Sequence, residues 1–277
     1  MPEASLRKPL FGKEVEIVVW GIGESMARGV LEDAYARGLM LQKIFNFYDR
    51  ESALSRLNRA RKLEAPGELV EVLKTALKFC EKTEGRYDVS LGKQFKERKG
   101  GKKVTPLGCS YRDIVIDGNR VELAHPDAMI DLGSIAKGYI ADRIADFLRE
   151  EGVISGLIDA RGDMRAFGEH ESVIEVQHPR DESKAVCSVA LRDGGLATSG
   201  DYNQYDKTYD FPHIINKKDY ISVTVLAPTL MEADAYASAI FVTPKEGVRS
   251  LIAGAGIKAF CIKNDLGIDN FSFKEFQ

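Results

Sequence analysis

An acid, two glycines, a serine and a lysine crowd the stretch from Asp131 to Leu148, "DLGSIAKGYIADRIADFL", at the mouth of an amphipathic run. Backbone N–H groups at a helix start have no intrahelical acceptors and attract anions. Lys137 adds a full positive charge there, and Gly133 permits close backbone approach. These residues suit a phosphate-bearing ligand, while a capped surface helix with a solvated lysine would use the same ones. The stretch is neither a Walker A loop nor a G-x-G-x-x-G fingerprint. Further on, "EADAYAS" puts Asp234 and Ser238 four residues apart, on one face of a helix. Their oxygens are hard donors of the kind Mg²⁺ takes; acids in a first helical turn also simply complement the helix dipole. His213, in "FPHIIN", is the one histidine of four in an apolar context, with hydroxyl- and glycine-rich segments before it. It would suit a general base, or pack as a structural histidine. "GDMRAFG" and "ATSGDY" join glycine to acids and hydroxyls, and each alone reads as a turn. Thr198, Ser199 and Gly200 could line a small polar pocket.

The elements that must position these residues are legible in outline. "VEIVVWG" (Val15 to Gly21) reads as a strand, followed by a helix from Glu24 to Phe45 with apolar residues at helical spacing. Ser52 can cap a short helix after "FYDRE". "GELVEVLKTALKFCEKTEG" reads as a third helix closed by Gly85, and the segments "RYDVSLG" and "KQFKERKGGKK" as irregular, the latter a solvated basic loop. "DIVIDGNRVELA" is a hairpin turning at Asp117-Gly118-Asn119. A helix from about Ala136 to Arg149 follows, then strands separated by Gly-rich turns, a strand "ISVTVLAP", a helix capped by Thr229, and a last strand in "KAFCIKND". Interleaved helices and hairpins without repeat or linker predict one α+β unit over residues 1–277, of mixed or antiparallel sheet with packed helices, with two lobes left open.

The bulk properties bound the function. A chain of 277 residues with 44% hydrophobic content can bury a sizeable core. A net charge of −3 argues against a general nucleic-acid binder. Cys80, Cys109, Cys187 and Cys261 form no C-x-x-C pair or zinc spacing and read as buried free thiols. No apolar h-region stands at the start and no run reaches the ~18 apolar residues of a membrane span, so a cytoplasmic protein is expected, with an exported form as the alternative.

The motifs "FYDRESALSRLN", "GRYDVSLG", "DLGSIAKGY", "DARGDMRAFG", "ATSGDY", "HII" and "SVTVLAPTLMEADAYASAIFV" occur in this order. In that order the chain resembles the ApbE family, the FAD:protein FMN transferases, from about Phe11 to the last strand. The resemblance implies binding of FAD and Mg²⁺, cleavage of the FAD pyrophosphate with release of AMP, and attachment of FMN to a threonine hydroxyl of an acceptor flavoprotein. It leaves two alternatives: an Mg²⁺-dependent pyrophosphatase that makes FMN and AMP, and a non-catalytic FAD-binding protein. Carried over residue by residue, it implies metal ligands at Ser134 (through its carbonyl), Asp234 and Ser238, where the family more often has threonine at the last. It implies FAD contacts at Asp131 and Lys137, an aromatic near the isoalloxazine at Tyr48, an adenosine-side segment at Tyr87 and Asp88, an apolar flavin contact at Ile215, and the base for the acceptor hydroxyl at His213. One departure stands out. The family usually carries a longer loop, resembling "DPRTGYP", after the histidine. Here "HIINKKDYISVTV" leaves a handful of residues, with Asp219 and Tyr220 as what remains of it. Family members are often exported lipoproteins, and neither a signal nor a lipobox cysteine is evident here.

Overall fold

The computed structural model describes residues 3–100, 104–202 and 218–273. In chain order the elements are β1 (Glu3–Leu10), β2 (Lys13–Trp20), α1 (Glu24–Phe45), α2 (Ala53–Ala60), β3 (Lys62–Glu64), α3 (Gly67–Lys82), α4 (Gly92–Lys99), β4 (Ile114–Asp117), β5 (Arg120–Leu123) and α5 (Ala136–Glu150). They continue with β6 (Ser155–Asp159), β7 (Met164–Phe167), β8 (Ser172–His178), β9 (Asp181–Leu191), β10 (Gly194–Gly200), β11 (Tyr220–Ala227), α6 (Leu230–Phe241), α7 (Lys245–Ile252), β12 (Lys258–Lys263) and β13 (Ile268–Phe271).

Eight strands form one sheet in the order β1-β2-β6-β7-β10-β11-β12-β13, and every neighbouring pair in it is antiparallel. Successive strand residues point to opposite faces, and the core divides accordingly. Val223, Val225, Ala259 and Cys261 pack into the cluster that contains α5 and α6. Ile221, Phe260 and Ile262 turn the other way, onto Val176, Cys187 and Val189 of the β8–β9 ribbon. Helices therefore cover one face and a two-stranded ribbon the other, the α+β arrangement expected. A small sheet, β3-β5-β4, holds the predicted hairpin, with Gly118 at φ +58° in its turn.

The basic stretch differs from the expected loop: residues 92–99 form α4, and 101–103 lie outside the described residues. "ATSG" is not a turn but the end of β10, inside the large sheet. The strands β1 and β13 and the helix α7 were not expected from sequence. The four cysteines are free and buried. Among the described residues no helix is long and apolar enough to cross a membrane.

Candidate active site

The N-termini of α5 and α6 interlock, and this brings most of the candidate residues together. Two glycines make the approach possible. A Cβ added at Gly138 of α5 would lie 2.6 Å from Met231 N, and one at Gly195 of β10 would lie 2.6 Å from Thr229 C. The start of α6 is thus pressed between α5 and the sheet, where only glycine leaves room. Its first N–H groups are satisfied from two directions. The Thr229 hydroxyl accepts from Glu232 N at 3.2 Å, and the buried Asp142 carboxylate of α5 accepts from Leu230 N at 2.9 Å and Met231 N at 2.8 Å.

The reciprocal contact makes the site. Asp234, one turn into α6, reaches back to the start of α5, where its Oδ2 accepts from Lys137 Nζ at 3.3 Å and the Gly138 N–H faces its carboxylate. The Lys137 ammonium also donates, more closely, to Asp163 Oδ2 at the start of β7. Asp163 Oδ1 accepts from Thr198 N of β10 at 3.2 Å. Burial and the neighbouring Asp163 push the Asp234 carboxyl up to about 6, against the opposing pull of Lys137. For Lys137, burial works to lower the ammonium and the two carboxylates more than reverse it, so it stays charged. Two buried carboxylates thus share one ammonium, an excess of negative charge that a further cation would offset.

Ser238 follows Asp234 by one turn, on the same face as expected, and its hydroxyl lies 3.1 Å from that of Ser199 on β10. Ser134 lies just before α5, with its hydroxyl 2.8 Å from that of Tyr87. Burial drives the Tyr87 phenol far up, so it stays neutral. The regular helical partner of the Ser134 carbonyl would be Gly138 N–H, which faces Asp234. Among the described residues no hydrogen bond reaches that carbonyl.

Backbone pairing aligns the two upstream segments. Asp131 N donates to Val89 O at 2.9 Å and Met129 N to Ser90 O at 3.0 Å, which sets Tyr87 and Asp88 beside the strap that carries Asp131 and Ser134. Asn58 clamps the strap by donating to Ile130 O at 2.8 Å and accepting from Ile130 N at 2.7 Å. Asp131 Oδ1 accepts from Gly133 N at 2.8 Å, shaping the turn into Ser134. The Asp88 carboxylate is engaged away from the strap. It accepts from Ser90 N and Oγ and from Tyr111 N, tying 88–90 to 110–111. Tyr48 is 63% exposed and meets Phe47 edge-on at 5.4 Å; Phe47 in turn lies against Gly92 beside Met129. His213 and Ile215 lie outside the described residues.

Asp163 is not among the site residues expected from the sequence. Its signal was present in "RGDMR", an acid directly after a glycine and directly before a strand, but the motif read as a turn. Ser199, one of the three residues that could line a small polar pocket, stands on β10 with its hydroxyl beside that of Ser238. Asp219 and Tyr220 are committed elsewhere: Asp219 accepts from Lys245 N at 3.0 Å at the start of α7, and the fully buried Tyr220 donates to Asp269 at 3.0 Å.

The profile of the ApbE family matches residues 11–261. The chain belongs to the ApbE family. Among curated relatives it is 24% identical over 257 residues to the FAD:protein FMN transferase of Escherichia coli K12, covering 80% of this chain and 73% of that one. It is 29% identical over 231 residues to the enzyme of the same name from Haemophilus influenzae, covering 70% and 67%. The crystal structure of the ApbE protein from Thermotoga maritima superposes with a TM-score of 0.86 at 25% identity, covering 98% of this chain and 97% of that one. The flavin transferase ApbE of Vibrio cholerae has the same fold, with a TM-score of 0.80 at 24% identity over 100% and 99% of the two chains. The ApbE fold therefore spans the site and everything that positions it.

Proposed function

We propose that this protein transfers FMN from FAD to a threonine hydroxyl of an acceptor flavoprotein, releasing AMP. The observation that carries the proposal is the convergence of Lys137, Asp163 and Asp234, beside the Ser199–Ser238 hydroxyl pair, where α5 meets α6. That convergence occurs in an ApbE-family chain whose relatives include FAD:protein FMN transferases.

The donor chemistry fits Mg²⁺. The Asp234 carboxylate, the Ser238 hydroxyl and the Ser134 carbonyl are all hard oxygens, and the excess buried negative charge favours a cation. Mg²⁺, when bound there, supplies charge neutralisation at the substrate pyrophosphate. Lys137, at the start of α5, holds a positive charge towards the phosphates. Asp131 and Tyr87 border the same helix start, and the exposed Tyr48 ring offers a face for the isoalloxazine. His213 takes the proton of the threonine hydroxyl as its oxygen attacks the FMN-side phosphorus. The P–O bond to the adenylyl side breaks, and AMP leaves with the electron pair.

A second reading is supported by the fate of Asp219 and Tyr220. Both are used by the fold, so little chain separates His213 from β11 to form the family's longer loop. Water would then compete with the acceptor hydroxyl, giving FMN and AMP. Incubation with FAD, Mg²⁺ and a domain bearing an acceptor threonine separates the readings. In-gel flavin fluorescence of the acceptor together with AMP supports transfer. AMP with a dark acceptor supports hydrolysis, and absence of AMP overturns both.

A further inference from the structure

Two carboxylates contact one ammonium, and they are held very differently. Asp163 stands in the tight β6–β7 turn, where Ala160 N donates to its carbonyl at 2.8 Å and Gly162 N donates to Asp159 Oδ1 at 2.7 Å. Its second carboxylate oxygen is tied to Thr198 N in the centre of the sheet, and its side chain is 11% exposed. The carboxylate is therefore fixed by the sheet. Lys137 lies closer to it than to Asp234, whose Oδ2 is 3.3 Å from the same nitrogen. An ammonium settled fully on Asp234 would occupy the lone pairs that a metal ion needs.

We propose that Asp163 is a positioning residue that draws the Lys137 ammonium away from Asp234 and so keeps the Asp234 carboxylate available to a divalent cation. The inference rests on the assignment of Asp234 as a metal ligand. Replacing Asp163 by asparagine removes the charge but keeps an amide oxygen for Thr198 N. Lys137 then has Asp234 as its remaining carboxylate, and an incoming cation must displace it.

The test is binding of Mn²⁺, as a Mg²⁺ surrogate, to the FAD-free protein, read from the EPR signal of the free ion. Four proteins are compared: wild type, Asp163→Asn, Lys137→Met and the double variant, which removes the Lys137–Asp163 pair together and leaves the Asp234 carboxylate in place. Asp163→Asn is expected to weaken Mn²⁺ binding about tenfold, within the usual coupling range for contacting charges. In the Lys137→Met background the same substitution should change affinity by less than about threefold, because there is no lysine left to restrain. Wild-type affinity in Asp163→Asn would overturn the proposal. So would an equal loss in both backgrounds, since Asp163 would then act through its own charge or through the turn, independently of Lys137. If wild type bound no Mn²⁺ at millimolar concentration, the metal assignment itself would fall and this role with it. A difference between the two backgrounds can arise only if that assignment holds.

Discussion

At the scale of single residues, the proposed chemistry depends on how Asp234 is divided between Lys137 and a cation. Because burial and Asp163 raise the Asp234 carboxyl to about 6, the metal-free fold binds its proton more tightly than the unfolded chain does, where the pKa is ~3.9. This contribution to stability is fully present below the unfolded value and is lost as pH rises through about 6. The stability of wild type relative to Asp234→Asn should therefore rise as the buffer is taken from neutral pH to below the unfolded value, in melts run with EDTA. Mg²⁺ must displace the same proton, so the melting shift it gives should be larger at neutral pH than below 6. A Mg²⁺ shift that does not depend on pH across this range would remove Asp234 from the ligand set. Asp234→Asn should also lower Mg²⁺-dependent AMP release by at least ~10²-fold, the scale of losing a principal electrostatic contact. His213 answers to a different readout. His213→Ala should suppress FMN transfer by ~10²–10⁴ while FAD still quenches and stabilises the protein as before. A fall in melting temperature accompanied by equal losses of binding and turnover would mark it as a packing residue instead.

At the scale of elements, the site exists because α5 and α6 start against each other. Asp142 of α5 caps α6, while Asp234 of α6 faces the start of α5. Gly138 permits the approach, and Gly138→Ala should cost about 1–3 kcal/mol by overpacking. It should also part the Ser134 carbonyl from Asp234 and Ser238 and so weaken Mg²⁺ binding. Urea denaturation with a Mg²⁺ titration of the same variant checks both, and an unchanged midpoint would show that the helices have slack there. Much of this is legible in the sequence. Glu24–Phe45 is delimited by its apolar spacing, and Ser52 and Thr229 cap helices by accepting N–H bonds as their positions suggest. What escapes does so for physical reasons. "GGLATSG" holds three glycines, the composition of a turn, yet at least one of them, Gly195, is there because a helix backbone lies against a strand. β1 mixes charged and small residues because it is an edge strand with only partial burial. α4 is polar almost throughout and carries no apolar stripe to announce it. The partnership of Lys137 with Asp163 joins residues 26 apart through a sheet whose strand order local pattern does not reveal.

At the scale of the whole molecule, the antiparallel sheet supplies rigidity where the site needs it. β10 and β11 pair side by side, flanked by β7 and β12 and covered by helices on one face and the β8–β9 ribbon on the other. The side chains that hold Lys137 and Ser238 arise from this sandwiched region, while Tyr48 lies on an exposed turn between α1 and α2. The expected division of labour is a fixed phosphate and metal end and a more open flavin end, from which an acceptor protein approaches. The most direct test of FMN transfer is the intact mass of an acceptor domain after incubation with FAD, Mg²⁺ and this protein, followed by peptide mapping. The acceptor should gain one FMN on a threonine, one AMP should appear per modified acceptor, and Asp234→Asn should produce neither. An acceptor of unchanged mass, with FAD either intact or merely hydrolysed to FMN and AMP, would contradict it.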